Sequence, residues 1–215
     1  MIKRLANGDW FTTRCSSCAL FPAAYSKSTQ NSTHSELRHL FLQLCQDDTP
    51  MVRRAATTKL ADFTTAIATT FKNSESTNCQ NILKNDLFPI WNSSLIQDDQ
   101  DSVRLASIDS ALTFAKYLTT SEKFKTIFPI FLELIADKSW RVRHVIAEKF
   151  TLFQKEFLKD SNKGEAGHKE QVSESLMHGF LNLLQDSESE VRTAAAYQIK
   201  YFVEEIQKVT KNDQK

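Results

Sequence analysis

The sequence is short of glycine and proline, with four of each in 215 residues. That scarcity argues against a hairpin-rich or loop-rich chain, where these residues supply the turns. Four glycines are also too few for the glycine-rich turn that cradles a phosphate. Cysteine is equally sparse, four residues at irregular spacing, which suits a reducing compartment better than a disulfide framework. No uninterrupted apolar run approaches the roughly 20 residues needed to span a bilayer, and Glu133 breaks the best candidate. Met1 to Asp9 lack the apolar stretch of a secretory leader. Neither sign of charge dominates. The 27 basic and 26 acidic side chains leave a formal net charge of +1, so no general pull toward nucleic acid or an anionic membrane is expected. These absences fit a soluble cytoplasmic protein, with the nucleus also open to it.

What the chain does contain is a repeat. Asp137-Lys138-Ser139-Trp140-Arg141-Val142-Arg143 has counterparts in Asp47 to Arg53, Asp98 to Arg104 and Asp186 to Arg192, each opening on Asp and closing on Val-Arg. A worn fifth copy runs from Gly8 to Arg14. The closing arginines lie 39, 51, 39 and 49 residues apart, a period of about 39 with two insertions, as expected of stacked helical pairs of the HEAT or armadillo kind. After each motif, apolar residues recur 8, 11 and 15 positions beyond the Val: Leu60, Phe63 and Ile67; Ala111, Phe114 and Leu118; Phe150, Phe153 and Phe157; Ile199, Phe202 and Ile206. Steps of three and four keep them on one helical stripe. Another apolar helix precedes each motif, so each unit reads as helix, short turn, helix.

The expected fold is therefore all-α, a right-handed α-solenoid of antiparallel helix pairs forming one array over residues 1–215. Its units are 1–25 (partial), 33–70, 81–120, 121–159 and 169–209, with polar insertions at about 71–81 and 159–168. One continuous helix is expected from Asp9 to about Tyr25, followed by a polar linker to Thr33. Thr33-His34-Ser35-Glu36 has capping-box spacing, and His34 is expected to face solvent or to lie at a helix start. Thr49-Pro50 has the cap-then-proline order of a helix start, and Ser187 to Glu190 repeats the capping-box spacing.

Little in the chain points to catalysis. Cys15-Ser16-Ser17-Cys18 has redox or metal spacing but no second pair or histidine at finger spacing. No nucleophile elbow, phosphate loop or paired-carboxylate signature is present. No enzymatic activity, cofactor or metal is expected. The motif arginines have two readings. Arg53, Arg104, Arg143 and Arg192 can form a ladder with Asp47, Asp98, Asp137 and Asp186 or with turn carbonyls of the adjoining unit. The residues that vary between copies, Trp10 and Phe11, Met51 and Arg54, Trp140 and Arg141, instead suit a protein-binding ridge along the turns. For Trp140, packing on its own helix pair stays equally open.

The runs from Gly8 to Thr12, Asp47 to Ala56, Gln100 to Leu105 and Asp137 to Arg143 closely resemble successive HEAT repeats of the scaffold (A-type, or regulatory) subunits of protein phosphatase 2A, over about Arg4 to Glu205. In that family fifteen repeats form a horseshoe. Its C-terminal repeats hold the catalytic subunit, and its N-terminal and middle repeats dock exchangeable regulatory (B-type) subunits through the turns. The stretches here look like the middle portion, roughly the fourth to eighth repeats. The resemblance implies a scaffold that docks regulatory subunits at Trp10, Phe11, Pro50, Met51, Arg53, Arg54, Asp101, Trp140 and Arg141. It would engage the catalytic subunit only where the missing repeats are supplied. The insertions are not typical of the family, and four and a half units against fifteen imply either a piece of a longer chain or a short relative. Stacks without polar caps expose their end helices, so self-association or marginal stability is expected.

Overall fold

The computed structural model describes residues 1–70, 80–159 and 166–212. Every regular element among them is helical, and the chain divides into two compact units, Met1–Tyr117 and Leu118–Lys215. Most of both expected insertions, at 71–79 and 160–165, lies outside the described residues. The helix after the second insertion has already begun at Ala166.

The first unit opens with α1 (Ile2–Ala6), α2 (Phe11–Cys18) and α3 (Phe21–Lys27). The single helix expected from Asp9 to Tyr25 is thus broken. Pro22 is the cause, because a continuous helix would drive its ring into the Cys18 carbonyl and leave that carbonyl without a donor. The chain instead closes a tight turn, Leu20 N donating to Ser17 O at 2.9 Å, and restarts with proline in the first turn. Next come α4 (Asn31–Cys45) and α5 (Pro50–Thr70). α4 begins at Asn31, so the expected capping box at Thr33 does not form. His34 is buried rather than solvent-facing. It stacks on Tyr25 with centroids 4.3 Å apart, and its Nε2 lies 3.1 Å from the carbonyls of Tyr25 and Ser28. The ring thereby ties the supposed linker to the core. Phe21, Tyr25, Phe41 and Phe63 form that core, the Phe41 and Phe63 rings 4.4 Å apart.

The third pair of this unit begins with a π-helical segment (Leu83–Leu87), α6 (Phe88–Ile90) and a second π segment (Trp91–Leu95), and it ends with α7 (Asp101–Tyr117). The second unit has the same feature: α8 (Thr120–Glu122), a π segment (Lys123–Ile127), then α9 (Phe128–Ile135). In both, a Phe-Pro pair, Phe88-Pro89 or Phe128-Pro129, follows the widened turn at once. A π turn moves the backbone out of the way of a proline that an α-helical interior would reject. These helices therefore continue where a strict 3.6-residue repeat would kink. Trp91 is fully buried beyond one such turn, its Nε1 donating to Ser107 O at 3.0 Å.

The second unit continues with α10 (Trp140–Leu158), α11 (Ala166–Leu184) and α12 (Ser189–Asn212). Its core is a chain of rings from Phe124 through Phe131, Phe150 and Phe153 to Phe180 and Phe202. α11 comes close to α9 at Gly179, where a Cβ would sit 2.7 Å from Ile135 Cδ1. The expected apolar stripes are buried at Leu60, Phe63, Ile67, Ala111, Phe114, Phe150, Phe153, Phe157 and Phe202. Leu118 and Ile206 are half-buried, and Ile199 is exposed.

Candidate protein-docking corners

Each helix pair turns at a corner built by its aspartate. Asp47, Asp98, Asp137 and Asp186 each accept, through Oδ1, from the backbone N–H two residues on, at 2.7–2.9 Å. That bond caps the corner locally. The motif arginine then works in two directions. Its Nη1 donates back to carbonyls of its own corner: Gly8 and Asp9 for Arg14, Asp47 and Asp48 for Arg53, Asp98 and Asp99 for Arg104, Asp137 for Arg143, Asp186 and Ser187 for Arg192. Its Nε and Nη2 reach forward as a fork onto the aspartate of the following corner. Arg14 pairs with Asp47 (2.7 and 3.0 Å), Arg53 with Asp98 (2.6 and 3.1 Å) and Arg143 with Asp186 (2.6 and 2.9 Å). The ladder is thus bidentate and charge-assisted, the strong form of such contacts. The carbonyls it uses belong to the arginine's own unit, not to the adjoining one.

Arg53 was expected among the docking residues. Four of its donor contacts go to Asp98, Asp47 and Asp48, so its guanidinium is committed to holding corners together. Arg14 does the same work in the worn first copy. Its place in the motif was the signal for it, and Thr49 Oγ1 adds a further acceptor at 3.2 Å.

The pairing tunes the carboxylates. Burial pushes the Asp47 and Asp98 carboxyls up, but hydrogen bonds from Arg14 or Arg53 and from the corner N–H outweigh it and hold both below the usual range. For Asp186 the Arg143 bond is the largest influence, again downward. The folded chain thus keeps these groups ionised at pH values where the unfolded chain has begun to take up protons. Their contribution is complete above the unfolded value of about 3.9 and is lost as pH falls through the lowered folded values. Stability measured by urea titration should therefore drop steeply below about pH 4. It should drop less steeply in Asp98→Asn, which cannot titrate there.

The side chains that vary between copies point outward from these pinned corners. Trp10 precedes α2 and is 76% exposed; Phe11 begins that helix and is 37% exposed. Pro50 begins α5, followed by Met51, 60% exposed, and by exposed Arg54. Met51 and Arg54 line a groove of about 350 Å³ with Cys15, Ala19, Thr58 and Lys59. Asp101 begins α7, half-buried. Trp140 begins α10 at 40% exposure, edge-on to His144, with the Arg141 guanidinium carbon 5.9 Å from its ring centroid. Trp140 therefore packs on its own helix and still presents a face to solvent. A second groove, about 580 Å³, lies alongside and is lined by His144, Glu148, Ser189, Glu190, Thr193 and Tyr197. No sequence motif marks it. Its residues meet because α10 and α12 pack side by side. Among the described residues no three His, Cys, Asp or Glu side chains come together to hold a metal ion, and no helix is long and apolar enough to cross a membrane.

Comparison with known proteins follows this anatomy. The HEAT repeat family model matches residues 37–67 and 176–206, the α4–α5 and α11–α12 pairs. The chain is 35% identical over 156 residues to the A-type regulatory subunit of protein phosphatase PP2A from Schizosaccharomyces pombe, covering 72% of this chain and 24% of that protein. It is 43% identical over 130 residues to a probable PP2A regulatory subunit of Caenorhabditis elegans, covering 60% and 20%. This chain is a HEAT-repeat relative of the phosphatase 2A scaffold subunits. It spans about a quarter of the length of the first of these relatives and a fifth of the second. A 63-residue stretch is 54% identical to the human 65 kDa regulatory protein of the A beta isoform, 29% of this chain and 10% of that one. Among solved structures, a designed armadillo repeat protein in complex with the peptide (KR)4 superposes with a TM-score of 0.52 at 13% identity, over 94% of this chain and 80% of that one. At that identity the likeness of the HEAT-repeat chain to it is one of fold.

Proposed function

We propose that the chain is a non-catalytic scaffold of a protein phosphatase 2A-type Ser/Thr phosphatase, acting in the cytoplasm and docking regulatory subunits through its intra-repeat corners. The observation that carries this reading is the pairing of pinned backbone with exposed anchors. Met51, Arg54, Trp140 and Arg141 stand out of corners whose backbone the Asp and Arg bonds hold still, and Trp10 out of one tied by Arg14. Large apolar and cationic side chains held this way lose little freedom on binding, which is what makes a hot spot. The names of the relatives, regulatory subunits all, support the assignment. The thiols of Cys15, Cys18 and Cys45 are unpaired, which suits a reducing compartment. A catalytic subunit would join only through repeats beyond those present here.

The test is direct binding of a purified B-type regulatory subunit, read by interferometry. Trp140→Ala should weaken it by about 2 kcal/mol, roughly 30-fold, and Arg54→Ala by less, with far-UV circular dichroism unchanged for both. A loss of helicity that parallels the loss of binding would return Trp140 to a packing role. No binding by the unaltered chain would end the proposal.

A further inference from the structure

Distance from the motif Val decides which side chains meet solvent, and the second unit fills those places differently from the first. Six and ten residues beyond the Val stand Thr58 and Asp62 on α5, and Asp109 and Thr113 on α7. All four are polar, and none is buried. α5 touches α2, α3, α4 and α7 and still leaves Thr58 and Asp62 exposed. These places therefore face solvent because of the register, not for want of a neighbouring helix. On α10 they hold Glu148 and Leu152, and on α12 Tyr197 and Tyr201. Leu152, Tyr197 and Tyr201 are 49%, 76% and 51% exposed. Large apolar and aromatic side chains gathered where the first unit is polar mark an interaction surface.

The groove of about 580 Å³ lies between these same two helices. It takes His144 and Glu148 from α10, two and six residues beyond the Val, and Glu190, Thr193 and Tyr197 from α12, one before it and two and six beyond. The groove of about 350 Å³ in the first unit is lined from the same places, by Cys15 and Ala19 and by Met51, Arg54 and Thr58. The repeat thus builds one seat twice and gives it opposite charge. Arg54 and Lys59 line the first, with no carboxylate among the described residues. Glu148 and Glu190 line the second, with no lysine or arginine among them. His144 Nδ1 is 3.8 Å from Glu148 Oε2, beyond hydrogen-bond reach. Glu190 accepts from Ser189 Oγ at 2.9 Å. A carboxylate offers roughly four acceptor sites, so both keep capacity for a further donor.

We propose that the α10–α12 groove binds an extended basic segment of another polypeptide. An arginine of that segment stacks on Tyr197 and donates to Glu148 and Glu190, and its apolar neighbours lie over Leu152 and Tyr201. Arginine suits the seat better than lysine, because a planar guanidinium can stack on a ring and fork onto carboxylates together. The contact uses helix faces, not corners, and requires no phosphatase subunit, so it goes beyond the docking role above.

Fluorescence anisotropy of the whole chain with a short labelled peptide alternating arginine and leucine tests it. Binding should be saturable and should weaken as salt is raised. Tyr197→Ala should weaken it by about tenfold, and Glu148→Gln with Glu190→Gln by about tenfold or more. These positions are exposed, and far-UV circular dichroism should report an unchanged fold. Replacing arginine by lysine in the peptide should cost affinity, and replacing it by glutamate should abolish binding. Asp62→Asn with Asp109→Asn removes as many carboxylates from the solvent face of the first unit and should change nothing. No binding of the arginine peptide, equal binding of the glutamate peptide, or an equal loss in the Asp62 and Asp109 variant would each overturn the proposal. A regulatory subunit that binds while the peptide does not would end this inference and leave the docking role standing.

Discussion

Phe150→Ala should cost about 3–5 kcal/mol, the range for deleting a fully buried aromatic ring. The ring has no accessible surface and sits 5.3 Å from Phe131, 4.9 Å from Phe180 and 5.8 Å from Phe202, centroid to centroid. It therefore touches α9, α11 and α12 at once. Three rigid helices cannot all move in to fill the space it leaves, so most of the cavity should persist. For a chain of this length the loss corresponds to a fall in Tm of roughly 8–16 °C, read by far-UV circular dichroism. Phe150→Leu should cost less than half as much. A fall under about 1 kcal/mol would mean that the helices collapse onto the gap, contrary to the packing described here.

Arg53→Ala should be the next most damaging change. It leaves the Asp98 carboxylate, 6% exposed, with its corner N–H bond and only the weaker pull of Arg104, and it strips the carbonyls of Asp47 and Asp48 of a shared donor. Breaking one side of a fully buried pair costs about 3–5 kcal/mol. The Arg53 side chain is one-fifth exposed, and solvent reaching it lowers the expectation to about 2–3 kcal/mol, or roughly 5–10 °C in Tm. Arg53→Lys should recover only part, because an ammonium cannot present the fork. The double change Arg53→Met with Asp98→Leu should be milder than Arg53→Ala, since it leaves no charge unpaired. If the double change proves as harmful as the single one, the carboxylate is not the source of the loss.

The neighbours Arg53 and Arg54 show how far the sequence could be read. Two adjacent arginines look alike in a motif, yet about 100° of helix rotation sends one into the ladder and leaves the other in solvent. The apolar stripes were legible because burial repeats with the helical period, as at Leu60, Phe63 and Ile67. Ile199 keeps the period but not the burial, because burial also needs a neighbour that periodicity does not supply. The break before Phe21 and the π turns before Pro89 and Pro129 each carried a local signal, a proline inside an apolar run. Which of the two responses the backbone would choose depends on packing against other helices. His34 gave no signal, since a polar residue beside a polar stretch reads as surface until Tyr25 is seen to cover it. The corners themselves were plain from Asp and Val-Arg. That they would grip a phosphatase regulatory subunit came from resemblance, not from spacing.

The forward reach of every fork gives the stack a direction in time as well as in space. Arg14, Arg53 and Arg143 each wait for a carboxylate 33, 45 and 43 residues further along. During synthesis a corner can tie its own carbonyls as soon as its arginine leaves the ribosome, but its cross-link closes only after the next corner has emerged. Newly made segments therefore lock from the amino end onward, each provisional until its successor arrives. A repeat moved elsewhere by engineering would bring its own arginine and need an aspartate downstream, whatever precedes it.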